Sequence, residues 1–99
     1  MSITAERLKE LYLYNPEDGT FTRIKAAGRH NRWGVGTIAN HHDPITGYNR
    51  IRIDGTLYSA HRLAWLYMTG SWPTHQIDHV DLDRANNAWR NLREAGGRR

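Results

Sequence analysis

The spacing of apolar positions changes several times along the chain, and each change marks an element. Between Thr4 and Tyr14 they recur at Leu8 and Leu11, with Ile3 or Tyr12 on the same face. That spacing predicts a helix over Thr4 to Tyr14, capped by Ser2 or Thr4 and ended by Asn15-Pro16. Glu17-Asp18-Gly19 is a turn, and Thr20-Phe21-Thr22-Arg23-Ile24 alternates as a short strand. Residues 26–36 form a loop both basic and aromatic, with Arg29, His30, Arg32 and Trp33 among Gly28, Gly34 and Gly36. Thr37-Ile38-Ala39 predicts another strand, followed by a polar loop from Asn40 to Pro44.

From Gly47 the alternation is clear. Ile51 and Ile53 point one way, Arg50 and Arg52 the other. Asp54-Gly55 is a favoured two-residue turn, and Thr56-Leu57-Tyr58 returns as the second strand of a hairpin. A helical period follows from Ser59 or Ala60 to Thr69, stopped by Gly70. Beyond Trp72-Pro73 come a strand at Gln76–His79, a polar loop and Leu92-Arg93-Glu94-Ala95. No internal repeat or low-complexity linker interrupts this order. The expected class is a small α+β domain with an N-terminal helix, antiparallel hairpins and a central helix.

Composition narrows what such a domain does. A chain of 99 residues is one domain with an adequate core, and four Trp and five Tyr supply much of its apolar bulk. No apolar run approaches the ~18 residues that span a bilayer. Met1 to Glu10 holds no signal-peptide stretch, and cysteine is absent, which excludes disulfides and thiolate zinc sites. A cytoplasmic protein without a membrane partner is expected, in a bacterial or phage-infected cell. The net charge is +4, and of the 14 basic residues 12 are Arg. Guanidinium forks suit phosphate oxygens, so the balance favours nucleic acid, although a solvated basic surface has the same composition. Ser2, Ser59 and Ser71 lack the setting of a nucleophile, and no glycine loop cradles a nucleotide.

The chemistry concentrates in residues 75–92, His-Gln-Ile-Asp-His-Val-Asp-Leu-Asp-Arg-Ala-Asn-Asn-Ala-Trp-Arg-Asn-Leu. Asp78 and His79 end a short apolar run, and Asn91 follows after a polar loop. A carboxylate, an imidazole and an amide held close together can bind a hard cation and activate water beside a phosphodiester. This stretch resembles the HNH endonucleases, in particular their small phage and homing-type branch. The resemblance extends through Ala60-His61-Arg62-Leu63-Ala64-Trp65 to Trp72-Pro73, and weakly to Tyr14-Asn15-Pro16-Glu17-Asp18-Gly19.

The resemblance implies metal-dependent hydrolysis of DNA phosphodiesters, with one divalent cation, Mg²⁺ or Mn²⁺. It assigns His79 as the general base, Asp78 as metal ligand and Asn91 as the amide that holds His79 in its productive tautomer. Each has a structural alternative: a buried histidine, a loop-capping aspartate and a turn asparagine. Asn86, Asn87, Asp81 and Asp83 read as loop formers, and Leu82 stands where relatives usually carry Gly. His61 is expected to bond the backbone of the ββ loop. Relatives continue past Leu-Arg-Glu-Ala into a helix bearing a second metal ligand, about nine positions beyond the middle Asn. Here Gly96-Gly97-Arg98-Arg99 follows, so the ββα-metal motif is expected to be incomplete.

The expected layout is a single domain over 1–99. Residues 1–58 form a DNA-contacting helix and hairpin region, 59–95 the HNH-like region and 96–99 a basic tail. Arg29, Arg32, Arg50, Arg52, Arg62 and Arg93 are the candidate DNA contacts, and His41-His42 are expected at the surface. Two alternatives stand beside the nuclease: the same fold, catalytically silent, binding DNA, and a phage particle protein that kept only the fold. Oligomeric state is not readable from the sequence.

Overall fold

The computed structural model describes residues 2–25 and 34–95. Helix α1 spans Ala5–Leu11 and is followed by β1 (Tyr12–Asn15), β2 (Thr20–Arg23) and β3 (Ile38–Ala39). Then come β4 (His41–His42), β5 (Asn49–Ile53), β6 (Thr56–Ser59), helix α2 (Ala60–Thr69), β7 (Ile77–His79) and β8 (Leu92–Glu94). All pairings are antiparallel. They make two three-stranded sheets, β1-β2-β3 and β4-β5-β6, and a two-stranded one, β7-β8. The α+β class expected from the sequence is the one observed. Among the described residues no helix is long and apolar enough to cross a membrane.

The first helix is shorter than its spacing predicts. Thr4, rather than Ser2, caps it by accepting from the Arg7 N–H at 3.1 Å, but it ends at Leu11 instead of Tyr14. The reason is a second period overlapping the first. Tyr12 and Tyr14 are buried while Leu13 and Asn15 are exposed, a strand alternation that pairing with β2 enforces. The polar loop expected over Asn40–Pro44 also contains a strand. His41 and His42 pair with Arg50 and Asn49, and both histidines lie on the surface. Asp54 (φ 52°) and Gly55 (φ 82°) close the β5–β6 hairpin in the left-handed conformations its two-residue turn requires.

Leu8, Leu11, Leu63, Ala64, Leu66, Ile51, Ile53 and Phe21 form the centre of the core, where α1 and α2 pack on the sheets. Burying such side chains supplies most of the stability, at about 25 cal/mol per Å² of apolar area. The ends of this core reach toward β7-β8. The Tyr14 hydroxyl donates to the Asn87 carbonyl, and the Trp89 N–H donates to the Pro16 carbonyl at 2.8 Å.

Gly19 sits between those bonds at φ 78°, and a Cβ there would collide with the backbone of Asn87 and Ala88. The β1–β2 turn is thus pressed directly onto the loop between β7 and β8. Replacing Gly19 by Ala brings both a steric conflict with backbone and a disfavoured φ. Gly19→Ala is expected to lower stability by about 2–3 kcal/mol, a fall in Tm of about 10 °C or more. Thermal unfolding by circular dichroism measures it, and an unchanged Tm would contradict the contact.

Candidate active site

The loop from Val80 to Trp89 is built by one carboxylate and two amides. Asp81 Oδ1 accepts from Asn91 Nδ2 at 2.9 Å and from the Asp83 N–H at 2.8 Å. Asp81 Oδ2 accepts from Asn86 Nδ2 at 2.7 Å, and Asn91 Oδ1 accepts from the Asp81 N–H at 2.9 Å. The Asn86 amide, the Asp83 N–H and Asn91 together hold the Asp81 carboxyl below its usual pKa range, so it stays ionised. Asn91 is buried and also donates to the Asn86 carbonyl at 2.8 Å, while its own carbonyl accepts from Val80. Both Asp81 oxygens are committed to the loop, which leaves this residue as a scaffold, not a ligand.

His79 is 7% exposed, and its Nε2 lies 2.8 Å from Asn87 Oδ1. With an amide oxygen facing it, Nε2 carries the proton and Nδ1 keeps its lone pair. Nδ1 has no hydrogen-bond partner, yet among the described residues the buried side-chain polar atom without a partner is His61 Nδ1 alone. His79 Nδ1 is therefore reached by solvent. One ring nitrogen is thus fixed and the other is free of a hydrogen-bond partner among the described residues.

The amide that meets the His79 ring is that of Asn87, where the sequence reading expected Asn91. Asn91 is turned into the loop and makes no bond to His79. In the sequence Asn86 and Asn87 are indistinguishable neighbours. What separates them is burial, since Asn87 is 2% exposed beneath Tyr14 and Gly19. Only the tertiary contact carries that signal.

His61 also differs from expectation. Its Nδ1 is buried and bonds no loop backbone. Its ring lies 5.1 Å from that of His79, edge-on at 71°, and 5.2 Å from Tyr48. Burial pushes its pKa down to about 4, with His79 and Arg62 adding to the effect, so the ring is neutral at pH 7. The Arg84 guanidinium stands 4.9 Å from the Tyr48 ring centre and donates to the Thr46 carbonyl at 2.8 Å. Tyr48 and Arg84 thus join His61 at the site, and the pattern of the chain singles out neither of the two.

Asp78 lies on the opposite face of β7 from His79, because the buried–intermediate–buried alternation of Ile77, Asp78 and His79 persists to the strand end. The carboxylate and the imidazole flank the strand rather than share one pocket. Among the described residues Asp78 makes only a loose approach to its cross-strand neighbour Arg93 at 4.0 Å, and its side chain is 45% exposed. Its oxygens can therefore accept a cation. Among the described residues no three His, Cys, Asp or Glu side chains cluster to complete a metal site. Asp78 fits a hard cation that keeps most of its water shell.

The expected DNA contacts are not gathered in one place. Arg50 and Arg52 share the outer face of β5; Arg50 bonds Asp43 at 3.2 Å and Arg52 donates to the Gly55 carbonyl at 3.3 Å. Arg62 lies over the Trp72 ring at 5.6 Å, and exposed Arg93 is beside Asp78. Arg29 and Arg32, with Trp33, lie outside the described residues.

Comparison with known proteins bears on this geometry. Residues 58–96 match the family model of the HNH endonucleases. The fold is similar to that of the HNH homing endonuclease I-HmuI, a structure of DNA binding and cleavage by that enzyme, with a TM-score of 0.65 and 25% identity. The match covers 96% of this chain but 52% of I-HmuI, so the chain spans about half the length of that relative. No curated protein matches the chain. These findings support the HNH relationship read from Asp78-His79 and Asn91.

The neutral, buried state of His61 has a thermodynamic signature. Above pH 6.5 the folded and unfolded forms are both neutral, and the stability of the fold is complete with respect to this residue. As pH falls from 6.5 toward 4, the unfolded chain takes up a proton that the folded chain refuses, so stability declines. The loss is expected to reach about 3 kcal/mol, and His61→Phe removes that part of the slope. Urea titrations at pH 7, 5.5 and 4 on both proteins measure it; parallel curves would refute a buried neutral His61.

Proposed function

We propose that this chain is the catalytic part of a metal-dependent DNA endonuclease that hydrolyses phosphodiester bonds. The observation that carries the reading is the His79–Asn87 bond of 2.8 Å, which leaves His79 Nδ1 open to solvent beside a basic surface. It is supported by the HNH family match and by the likeness to a structure of DNA binding and cleavage.

His79 Nδ1 takes a proton from a water aligned with the scissile phosphorus, and Nε2–H transfers part of the resulting positive charge onto the Asn87 carbonyl. Asn91 and Asp81 hold the loop that carries Asn87, which makes them positioning residues. Asp78 would hold one divalent cation, Mg²⁺ or Mn²⁺, which supplies charge neutralisation at the phosphate and the departing oxygen. Because the two side chains leave opposite faces of β7, a phosphodiester would have to lie across the strand edge to meet both. Arg93 and Arg84 flank that edge, and both are exposed. The region 1–58 tracks the duplex through Arg50 and Arg52, which alternate with buried Ile51 and Ile53 and so face away from the core.

A second reading is a DNA-binding module without cleavage. It is favoured by Asp78 being the single hard-cation ligand beside His79 among the described residues. The two readings separate in one assay. With supercoiled plasmid and Mg²⁺ or Mn²⁺, nicked circle is expected, abolished by EDTA. His79→Ala is expected to lower the rate about 100-fold or more and Asn87→Ala about tenfold. A band shift without nicking, or equal nicking by His79→Ala, would leave the binding module.

The salt dependence of binding tests the sheet face. Replacing Arg50 and Arg52 together by Ala is expected to reduce the slope of log K against log salt by about 1.8, the yield of two phosphate contacts. A slope equal to that of the unaltered protein would remove β5 from the interface.

A further inference from the structure

Arg84 is held in place without being neutralised. The ion pairs among the described residues join Arg7, Lys25, Arg50 and Arg93 to carboxylates, and Arg84 is in none of them. Its guanidinium instead lies 4.9 Å from the centre of the Tyr48 ring, and its Nη1 donates to the Thr46 carbonyl at 2.8 Å. The stem crosses Gly47, where its Cδ and Cβ lie 3.7 and 3.8 Å from the place a Cβ would take. The turn beneath is itself tied. The Gly47 N–H donates to the Asp43 carbonyl at 2.7 Å, and the Asp43 N–H to the Tyr48 carbonyl at 2.9 Å.

An exposed arginine ordinarily samples many rotamers, and ordering it opposes binding. Here folding has already done most of the ordering, through three contacts that leave the residue exposed. The bond to Thr46 uses one of five guanidinium donors, so a fork of N–H groups stays available. The same aromatic ring leads to the base, since Tyr48 lies 6.1 Å from His79 and 5.2 Å from His61. End to end, the separations of 4.9 and 6.1 Å place the guanidinium no farther than about 11 Å from the His79 ring. Phosphates of one DNA strand recur about every 3.4 Å of rise, so that distance covers about three nucleotides. The exposed carboxylates of Asp81 and Asp83 stand on the same loop and repel a free anion. Arg84 therefore suits a phosphate presented by a chain that other contacts already hold.

We infer that Arg84, seated on Tyr48, is the clamp for one backbone phosphate of the cut strand, within about three nucleotides of the scissile phosphodiester. This rests on the DNA-cleaving reading of the preceding subsection and deepens it by naming what sets the register of that strand. A guanidinium fork can bond two oxygens of one phosphate, and so fixes direction as well as distance. Tyr48 packs on both His61 and His79, so clamp and base are joined through one ring. A strand bonded at Arg84 then brings its scissile phosphate to a set place at His79 Nδ1. Phosphate contacts carry no sequence information. The clamp decides where the cut falls along a bound backbone, and the choice of bases lies elsewhere.

The experiment uses the whole chain, Arg84→Ala and Arg84→Lys, with a duplex selected by binding from a randomised pool and the nick mapped on it. A neutral methylphosphonate replaces each phosphate in turn, and affinity is read by fluorescence anisotropy. The unaltered protein is expected to lose about tenfold in affinity at one phosphate of the cut strand, within about three nucleotides of the nick. Arg84→Ala is expected to bind the all-phosphate duplex about tenfold more weakly and to lose nothing further at that phosphate, while its losses elsewhere stay the same. Arg84→Lys, which keeps the charge but not the fork, is expected to lose about threefold there. Binding by Arg84→Ala equal to that of the unaltered protein would overturn the clamp and leave the nuclease reading intact. So would weaker binding with every phosphate sensitivity preserved, the mark of a merely structural arginine. A profile of Arg84→Lys identical to the unaltered one would also overturn it, which keeps the test decisive should Arg84→Ala fail to fold. A sensitive phosphate on the uncut strand alone contradicts the placement. If the duplex is bound but not nicked, the cleavage reading fails, yet sensitivity at one phosphate that vanishes in Arg84→Ala upholds the contact. If no duplex is bound, both fail.

Discussion

The structure depends on the closeness of the β1–β2 turn to the backbone at Asn87 and Ala88. Gly19 leaves no space for a Cβ there, and Tyr14 and Pro16 bond the segment on either side. Three chain-distant contacts converge on a loop that otherwise rests on a two-stranded sheet, too small to be stable alone. Because Asn87 is pinned from outside, its amide is fixed when His79 meets it. An orienting group is useful only if it is itself held, since a mobile amide would follow the ring instead of setting its tautomer. The aromatic packing of Tyr14 on Phe21 and Tyr67 thus connects the core to the amide that meets the His79 ring.

The loop divides its tasks among residues of like chemistry. Asp81, Asn86 and Asn91 satisfy one another and the loop backbone, closing a network in which the carboxylate stays charged. Asn87 faces the imidazole, and Asp78 lies on the far face of β7 with Arg93 near it. His61 is the exception to this economy. Its buried nitrogen lacks a partner, and the cost of that is met by the packing of α2 against Tyr48 and His79.

How much of this could be read from residue order follows from which interactions are local. The β5–β6 hairpin and α2 are legible because Asp54-Gly55 and Gly70 act on their own neighbours, and period-2 alternation of Ile and Arg needs no partner to be recognised. The end of α1 is not, because Leu8, Leu11 and Tyr12 fit a helix while Tyr12 and Tyr14 fit a strand, and only pairing with β2 decides. The same division runs through the site. His79 stands out by its setting in Ile77-Asp78-His79. The choice of Asn87 over Asn91 as its partner depends on a hairpin some 73 residues away in the chain. Whether Asp78 shares the pocket of His79 turns on how far the strand alternation persists, which a three-residue strand does not announce.

The opposite facing of Asp78 and His79 follows from the pleat, and on the proposed reading it has a chemical use. A water must attack phosphorus on the side away from the departing oxygen, so base and cation work best at different flanks of the phosphate. Adjacent residues on a strand provide that separation without any loop insertion, since the pleat sends one side chain to each face. Placing both groups in a single pocket would instead bring the cation close to the imidazole and compete with the proton for its lone pair. A β-strand edge that carries Asp and His in succession, one open to solvent and the other steadied from behind, divides attack and departure by backbone geometry alone.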